Sequence, residues 1–229
     1  MRIIIAVITS ALLCITQICR AENSIITLGL IGDSTVAEQS GWGPALTNRL
    51  QRKATILNHA VNGATLESLS KRLDSLIALK PDYVLIQFGH NDQKRYGTEA
   101  YRGHLQSYVD RIQRAGAKPV IVSSVARRVF DRTGRIDEKH GSGENSKLKG
   151  TLAEYASAAQ AVAVERKVLF IDLYRISIAH HNRIGRDACM EYNGKEGDTT
   201  HFNRKGAEVI ADLILQELNK IIPELTPQP

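Results

Sequence analysis

Cysteine is scarce in this chain of 229 residues: there are three, and two of them, Cys14 and Cys19, fall within the first 19 positions. If that leading segment is removed, Cys189 is alone. No intramolecular disulfide can then form, and stability has to come from a buried core. A lone cysteine of this kind reads as a part-buried, inert thiol rather than a reactive one. Aromatic residues are also few, at 5%, with Trp42 the single tryptophan. No five like charges stand in a row, and basic and aromatic residues do not interleave, so nothing points to nucleic acid. No apolar run reaches the roughly 20 residues that span a bilayer. The Gly-x-Ser-x-Gly elbow of α/β-hydrolases is missing. What remains is ordinary for a globular domain: 43% hydrophobic and 24% charged residues, which excludes disordered and fibrous classes. The length suits one domain with a sizeable core.

The first stretch differs from the rest. Arg2 precedes Ile3-Ile4-Ile5-Ala6-Val7-Ile8, the apolar character continues through Ile15, and no acid occurs before Glu22. A basic start, a short apolar run and a small residue at Ala21 read as an export signal over residues 1–21. An uncleaved anchor is the alternative. Residues 22–229 are then the folded domain, secreted or periplasmic, with no membrane contact once the signal is cut. Cleavage removes Arg2 and Arg20 and lowers the net charge of +6 by two. The remaining basic excess suits an acidic partner such as a uronic-acid polysaccharide.

Short apolar runs and helical patterns alternate along the domain. Residues 25–31, 55–60, 83–88, 119–122 and 168–171 read as strands covered on both faces. Helical spacing links Leu66, Leu69, Leu73, Leu76 and Ile77, and then Leu105, Tyr108, Val109 and Ile112. A small-residue face follows at Ala153, Ala156, Ala159 and Val162, and a stripe at Ala207, Ile210, Ala211, Ile214 and Leu218. Such alternation predicts an α/β fold with a doubly wound parallel sheet of about five strands. Residues 127–146 and 180–200 are the least regular. They are expected as loops on the side where open α/β sheets bind ligands.

Four segments carry chemistry. Gly32-Asp33-Ser34 follows the first strand and presents a hydroxyl, which needs a base to become a nucleophile. Alone, the tripeptide describes a helix-capping turn better than a nucleophile. Asp198 precedes His201 by three residues, so one turn can bring carboxylate and imidazole together. His201 could equally be only a helix-start residue. Gly63 could aim a backbone N–H at a developing oxyanion and Asn91 a side-chain amide. The alternatives are a turn glycine and a helix cap.

Taken together, Gly32-Asp33-Ser34, Asn58-x-Ala60-x-x-Gly63, Gly89-x-Asn91-Asp92 and Asp198-x-x-His201 resemble the four blocks of the SGNH (GDSL-type) hydrolases. Gly41-Trp42-Gly43, Phe88-Gly89-His90-Asn91-Asp92-Gln93-Lys94, Arg127-Arg128-x-Phe130, His140-Gly141 and Asp198-Thr199-Thr200-His201-Phe202-Asn203 are similar to the rhamnogalacturonan acetylesterase branch. Ser123-Ser124-Val125 departs from it, and residues 180–197 match no pattern of it. The resemblance implies a three-layer, flavodoxin-like fold and an esterase with an acetylated polysaccharide or oligosaccharide as partner. It implies Ser34 as nucleophile, His201 as base, Asp198 as its orienter, and Ser34, Gly63 and Asn91 as the oxyanion hole, with no metal or organic cofactor. Trp42 stacking on sugar, His90, Gln93, and the carboxylate-pairing Arg127 and Arg128 are expected at the substrate.

Two rival readings can be set beside it. Asp33, His90, Asp92, Asp198 and His201 could ligate metal, but the Asp-x-His and Gly-His-x-His signatures of metallophosphatases are absent. A non-catalytic carbohydrate-binding protein on the same fold is possible in principle, yet it has no use for Ser34, Asn91 and His201 together.

Overall fold

Five aliphatic runs form the five strands: β1 (Ile26–Gly32), β2 (Ala54–Asn58), β3 (Tyr83–Gln87), β4 (Lys118–Val122) and β5 (Leu169–Ile171). They belong to a computed structural model that describes residues 25–143 and 146–226. The expected export signal, residues 1–21, lies outside the described residues. All neighbouring strands pair in parallel, in the order β2-β1-β3-β4-β5. This is the flavodoxin-like order, in which the chain reverses its direction of winding between β1 and β3.

Alternation along the strands decides which helix covers which face. Leu28 and Leu30 of β1 and Leu85 of β3 join a core with α1 (Gly43–Leu50) and α7 (Arg204–Ile221). Their neighbours Ile31, Val84 and Ile86 face α2 (Ser70–Ile77), α3 (Thr98–Arg114) and α4 (Leu152–Arg166). Both faces are therefore apolar, which is why the strands read as continuous hydrophobic runs. Each fully buried Leu or Ile contributes about 1.5–3 kcal/mol of transfer free energy, and the two cores close the α/β/α sandwich. Some helices begin where the sequence offers a capping side chain. Thr151 and Glu154 form a reciprocal capping box at α4, and Asn203 accepts from the Gly206 N–H at the start of α7.

Residues 180–200 correct an expectation of irregular chain. Residues 180–184 complete α5 (Leu173–Ile184), and α6 (Arg186–Met190) follows after Gly185. Only the stretch from Glu191 to Asn203 is without regular structure. The histidines and charges of this segment masked its helical period. His181 is fully buried, and burial pushes its imidazole down to about 3. Cys189 is buried as well, and burial lifts its thiol to about 11. No helix among the described residues is long and apolar enough to cross a membrane.

Candidate active site

β1 ends at Gly32. A Cβ there would lie 2.5 Å from Val36 Cγ2 and 2.6 Å from Gln87 O, so only glycine lets the following turn settle against β3. The Val36 and Ala37 N–H groups both donate to Asp33 O at 3.1 Å. That tight turn brings Ser34 to the wall of a cavity of about 750 Å³.

Ser34 Oγ is 2.8 Å from His201 Nε2, and His201 Nδ1 is 2.9 Å from Asp198 Oδ2. The second carboxylate oxygen of Asp198 accepts from the backbone N–H groups of Thr200 at 3.0 Å and His201 at 2.9 Å. Burial alone would raise the Asp198 carboxyl. The hydrogen bonds from His201 and Thr200 outweigh it and bring the group down to about 2. An anionic acceptor thus fixes the imidazole tautomer that leaves Nε2 facing the hydroxyl. Such an arrangement can take a proton from a serine as it attacks a carbonyl carbon.

Three further residues come to the same cavity from other strand ends. Gly63, after β2, has φ +76°, a left-handed conformation open to glycine. Asn91, after β3, lines the cavity beside it and donates from Nδ2 to Ala64 O at 3.1 Å. Asp92 holds these two segments together. Its Oδ1 accepts from the Leu66 N–H and the Tyr96 hydroxyl, its Oδ2 from the Gly89 N–H. Burial is the main reason its carboxyl is raised to about 6. His90 also reaches the cavity wall, yet it is only 2% exposed, with Nδ1 3.6 Å from Asp33 Oδ2. Burial pushes its imidazole down, against the pull of Asp33. Burial works against Asp33 as well, but contact with His90 and hydrogen bonds from Thr35 hold its carboxyl below the usual range.

The structure corrects three expectations of sugar contact, at Trp42, Gln93 and Arg128, and finds a fourth residue, Arg127, half-buried and hydrogen-bonded within the protein. Trp42 is fully buried, and its Nε1 donates to Gln87 Oε1 at 2.8 Å. Gln87 Nε2 in turn donates to Thr35 Oγ1 at 2.6 Å, and Thr35 Oγ1 donates to Asp33 Oδ1 at 2.7 Å. The tryptophan therefore braces the turn that carries Ser34. Gln93 is buried too. With its amide oxygen turned to the guanidinium, it accepts from Arg127 Nη1 and Nη2 at 2.6 and 2.8 Å. Arg127 Nε donates to Thr200 Oγ1 at 3.2 Å, so this arginine is engaged within the protein. Arg128 is 1% exposed and lies under the segment that bears Asp198 and His201. Its Nη2 donates to Asp198 O at 3.1 Å and His201 O at 2.6 Å, its Nε to Asn193 Oδ1 at 2.9 Å. Burial pushes the guanidinium down to about 10.

Other residues on the wall were not expected. Ser40 donates from Oγ to Ser34 O at 2.9 Å. Lys94, Lys195 and Arg204 supply three cations, while the cavity's one lining carboxylate is Asp198. Lys94, at least, stands in the same motif as His90 and Asn91. Among the described residues, no group of three or more His, Cys, Asp or Glu side chains is arranged to hold a metal ion.

Comparison with known proteins agrees with this geometry. A profile of the GDSL-like lipase/acylhydrolase family matches residues 30–209. The chain is 33% identical over 222 residues to rhamnogalacturonan acetylesterase RhgT of Bacillus subtilis, covering 86% of this chain and 90% of that one. The crystal structure of protein YxiM of Bacillus subtilis superposes with a TM-score of 0.73 at 25% identity. That match covers 86% of this chain and 57% of the other. An acetylxylan esterase of Geobacillus stearothermophilus, Axe2, shares the fold at 20% identity, with a TM-score of 0.65 and coverage of 86% and 95%. The chain belongs to the GDSL-like lipase/acylhydrolase family and is a carboxylic ester hydrolase.

Proposed function

We propose that this protein is an exported carbohydrate acetylesterase that removes acetyl groups from acetylated pectic polysaccharide of the rhamnogalacturonan type. The observation that carries the chemistry is the chain from Ser34 Oγ through His201 to Asp198, with contacts of 2.8 and 2.9 Å at the wall of an open cavity. Ser34 attacks the acetyl carbonyl carbon while His201 Nε2 accepts the hydroxyl proton. The Ser34 and Gly63 N–H groups and the Asn91 amide receive the developing oxyanion, where preorganised donors contribute most. Collapse of the tetrahedral adduct breaks the ester bond, and His201 returns its proton to the departing sugar hydroxyl. Water, deprotonated by His201, then attacks the acetyl-serine and releases acetate.

The likeness to an enzyme named rhamnogalacturonan acetylesterase supports the substrate. So do the cations Lys94, Lys195 and Arg204 on the cavity wall, which attract an acidic polymer. The apolar, acid-free leading segment supports export.

Turnover of p-nitrophenyl acetate by the wild type and by Ser34→Ala tests the mechanism. The variant should lose at least about 1,000-fold in kcat, and equal rates would refute it. Acetate release from acetylated pectin, xylan and a lipid ester tests the substrate. Preference for xylan or lipid over pectin would replace the pectic assignment.

A further inference from the structure

We infer that the protein binds its carbohydrate beyond the acetylated residue, with a neutral glycosyl unit of the same substrate chain seated in a groove between α1 and α7. The inference rests on the acetylesterase reading above. A second cavity of about 520 Å³ adjoins the catalytic one. The two share Gln39, Ser40, Phe202, Asn203 and Arg204 as a common wall. A substrate chain lying over Ser34 can therefore pass that wall and stay in contact with the protein.

The groove suits a sugar by its chemistry. Pro44, Ala45 and Ala207 give it apolar lining. Small apolar residues at the α1–α7 contact suit the C–H face of a pyranose. Glu38, Asn48 and Glu208 stand on its rim and offer hydrogen bonds to hydroxyls. A few polar groups over an apolar floor are the usual make-up of a small-molecule site.

Charge decides which unit sits there. Glu38 accepts from Asn58 at 2.7 Å and Glu208 pairs with Arg204 at 2.8 Å. The groove thus carries two acidic side chains against one arginine, which disfavours a uronate. Lys94 and Lys195 belong to the catalytic cavity alone. An acidic unit is drawn to that end and a neutral one to this.

The wall also links the groove to the chemistry. The Phe202 N–H donates to Ser40 O at 3.2 Å, and Ser40 Oγ donates to Ser34 O at 2.9 Å. Contacts made in the groove bear on the turns that carry Ser34 and His201. Binding energy from this remote unit can then appear in kcat as well as KM.

The test compares kcat/KM for a singly acetylated monosaccharide with that for disaccharides extended on either side by a neutral or a uronic unit. A neutral neighbour on one side should raise the value by about tenfold or more, and a uronic one on that side by much less. Asn48→Trp, at an exposed helix position, should fill the groove and return the disaccharide to the monosaccharide's level. Glu38→Lys should reverse the preference between neutral and uronic neighbours. Each ratio is taken within one preparation, so partial loss of folding cancels. A wild-type ratio near one on both sides, or a ratio that neither variant moves, would overturn the groove. Hydrolysis of p-nitrophenyl acetate with no turnover of any acetylated sugar would instead overturn the carbohydrate reading, and the groove with it.

Discussion

Replacing Arg128 with methionine will loosen the segment that carries Asp198 and His201. The methionine keeps the apolar stem over the Phe202 ring, which the guanidinium now covers at 4.6 Å. It removes three charge-assisted hydrogen bonds, to Asn193 Oδ1, Asp198 O and His201 O. Such bonds contribute about 1.5–3 kcal/mol each. Their sum is not the expected loss, because the guanidinium itself is costly to bury. It has no carboxylate within ion-pair distance among the described residues, and its Nη1 has no hydrogen-bond partner. Methionine removes that cost while leaving two carbonyl groups short of a donor, so a net destabilisation of about 2–4 kcal/mol follows. For a domain of this size that is roughly 4–16 °C in Tm. The loop keeps the Arg128 N–H to Thr199 O bond at 2.9 Å, so His201 shifts rather than departs. A displacement near 1 Å costs up to about 100-fold in kcat, with little change in KM for a small ester. Calorimetry and p-nitrophenyl acetate kinetics read the two effects. Arg128→Lys should restore only part of kcat, since an ammonium can serve one carbonyl but lacks the planar fork. A methionine variant with kcat within about threefold of wild type would refute the positioning role, whatever its Tm.

Asn91→Ala should lower kcat for p-nitrophenyl acetate by about 100-fold, and a loss below about threefold would take Asn91 out of the proposed oxyanion hole. Trp42→Phe should cost about 1–3 kcal/mol by leaving the buried Gln87 carbonyl unpaired, while KM for acetylated polysaccharide stays at the wild-type value. A raised KM with unchanged Tm would return the tryptophan to the sugar.

Much of the fold was legible because the relevant forces are local. Apolar runs such as Tyr83–Gln87 are read directly as strands when both sheet faces are covered, and the helical stripe of α7 is read from its 3.6-residue period. The segment from residue 180 departs from its expected irregularity because His180, the buried His181 and the charges beside them interrupt its apolar pattern. His181 and Cys189 are inside for reasons of packing that no local window contains.

The site divides in the same way. Asp198 and His201 are three residues apart, and the carboxylate–imidazole contact is a property of one turn. Gly32, Gly63 and Gly89 mark strand ends where the backbone must turn, and they locate the block residues beside them. The sequence by itself therefore determined the fold class, the family and the residues on which the proposed ester hydrolysis rests. Tertiary structure alone decided the fate of the other polar residues. A tryptophan between glycines and a pair of arginines look like surface groups, since tryptophan is amphipathic and arginine is usually exposed. Here Trp42 braces the turn of Ser34 and Arg128 holds up the loop that carries His201. Lys94, Lys195 and Arg204 look like isolated solvated charges, and become one cationic wall only after the crossovers bring them together. The reason is range: turns, caps and strand runs are settled by neighbours within a few residues. Burial, and the company a charged side chain keeps, are settled by segments 40 to 170 positions away.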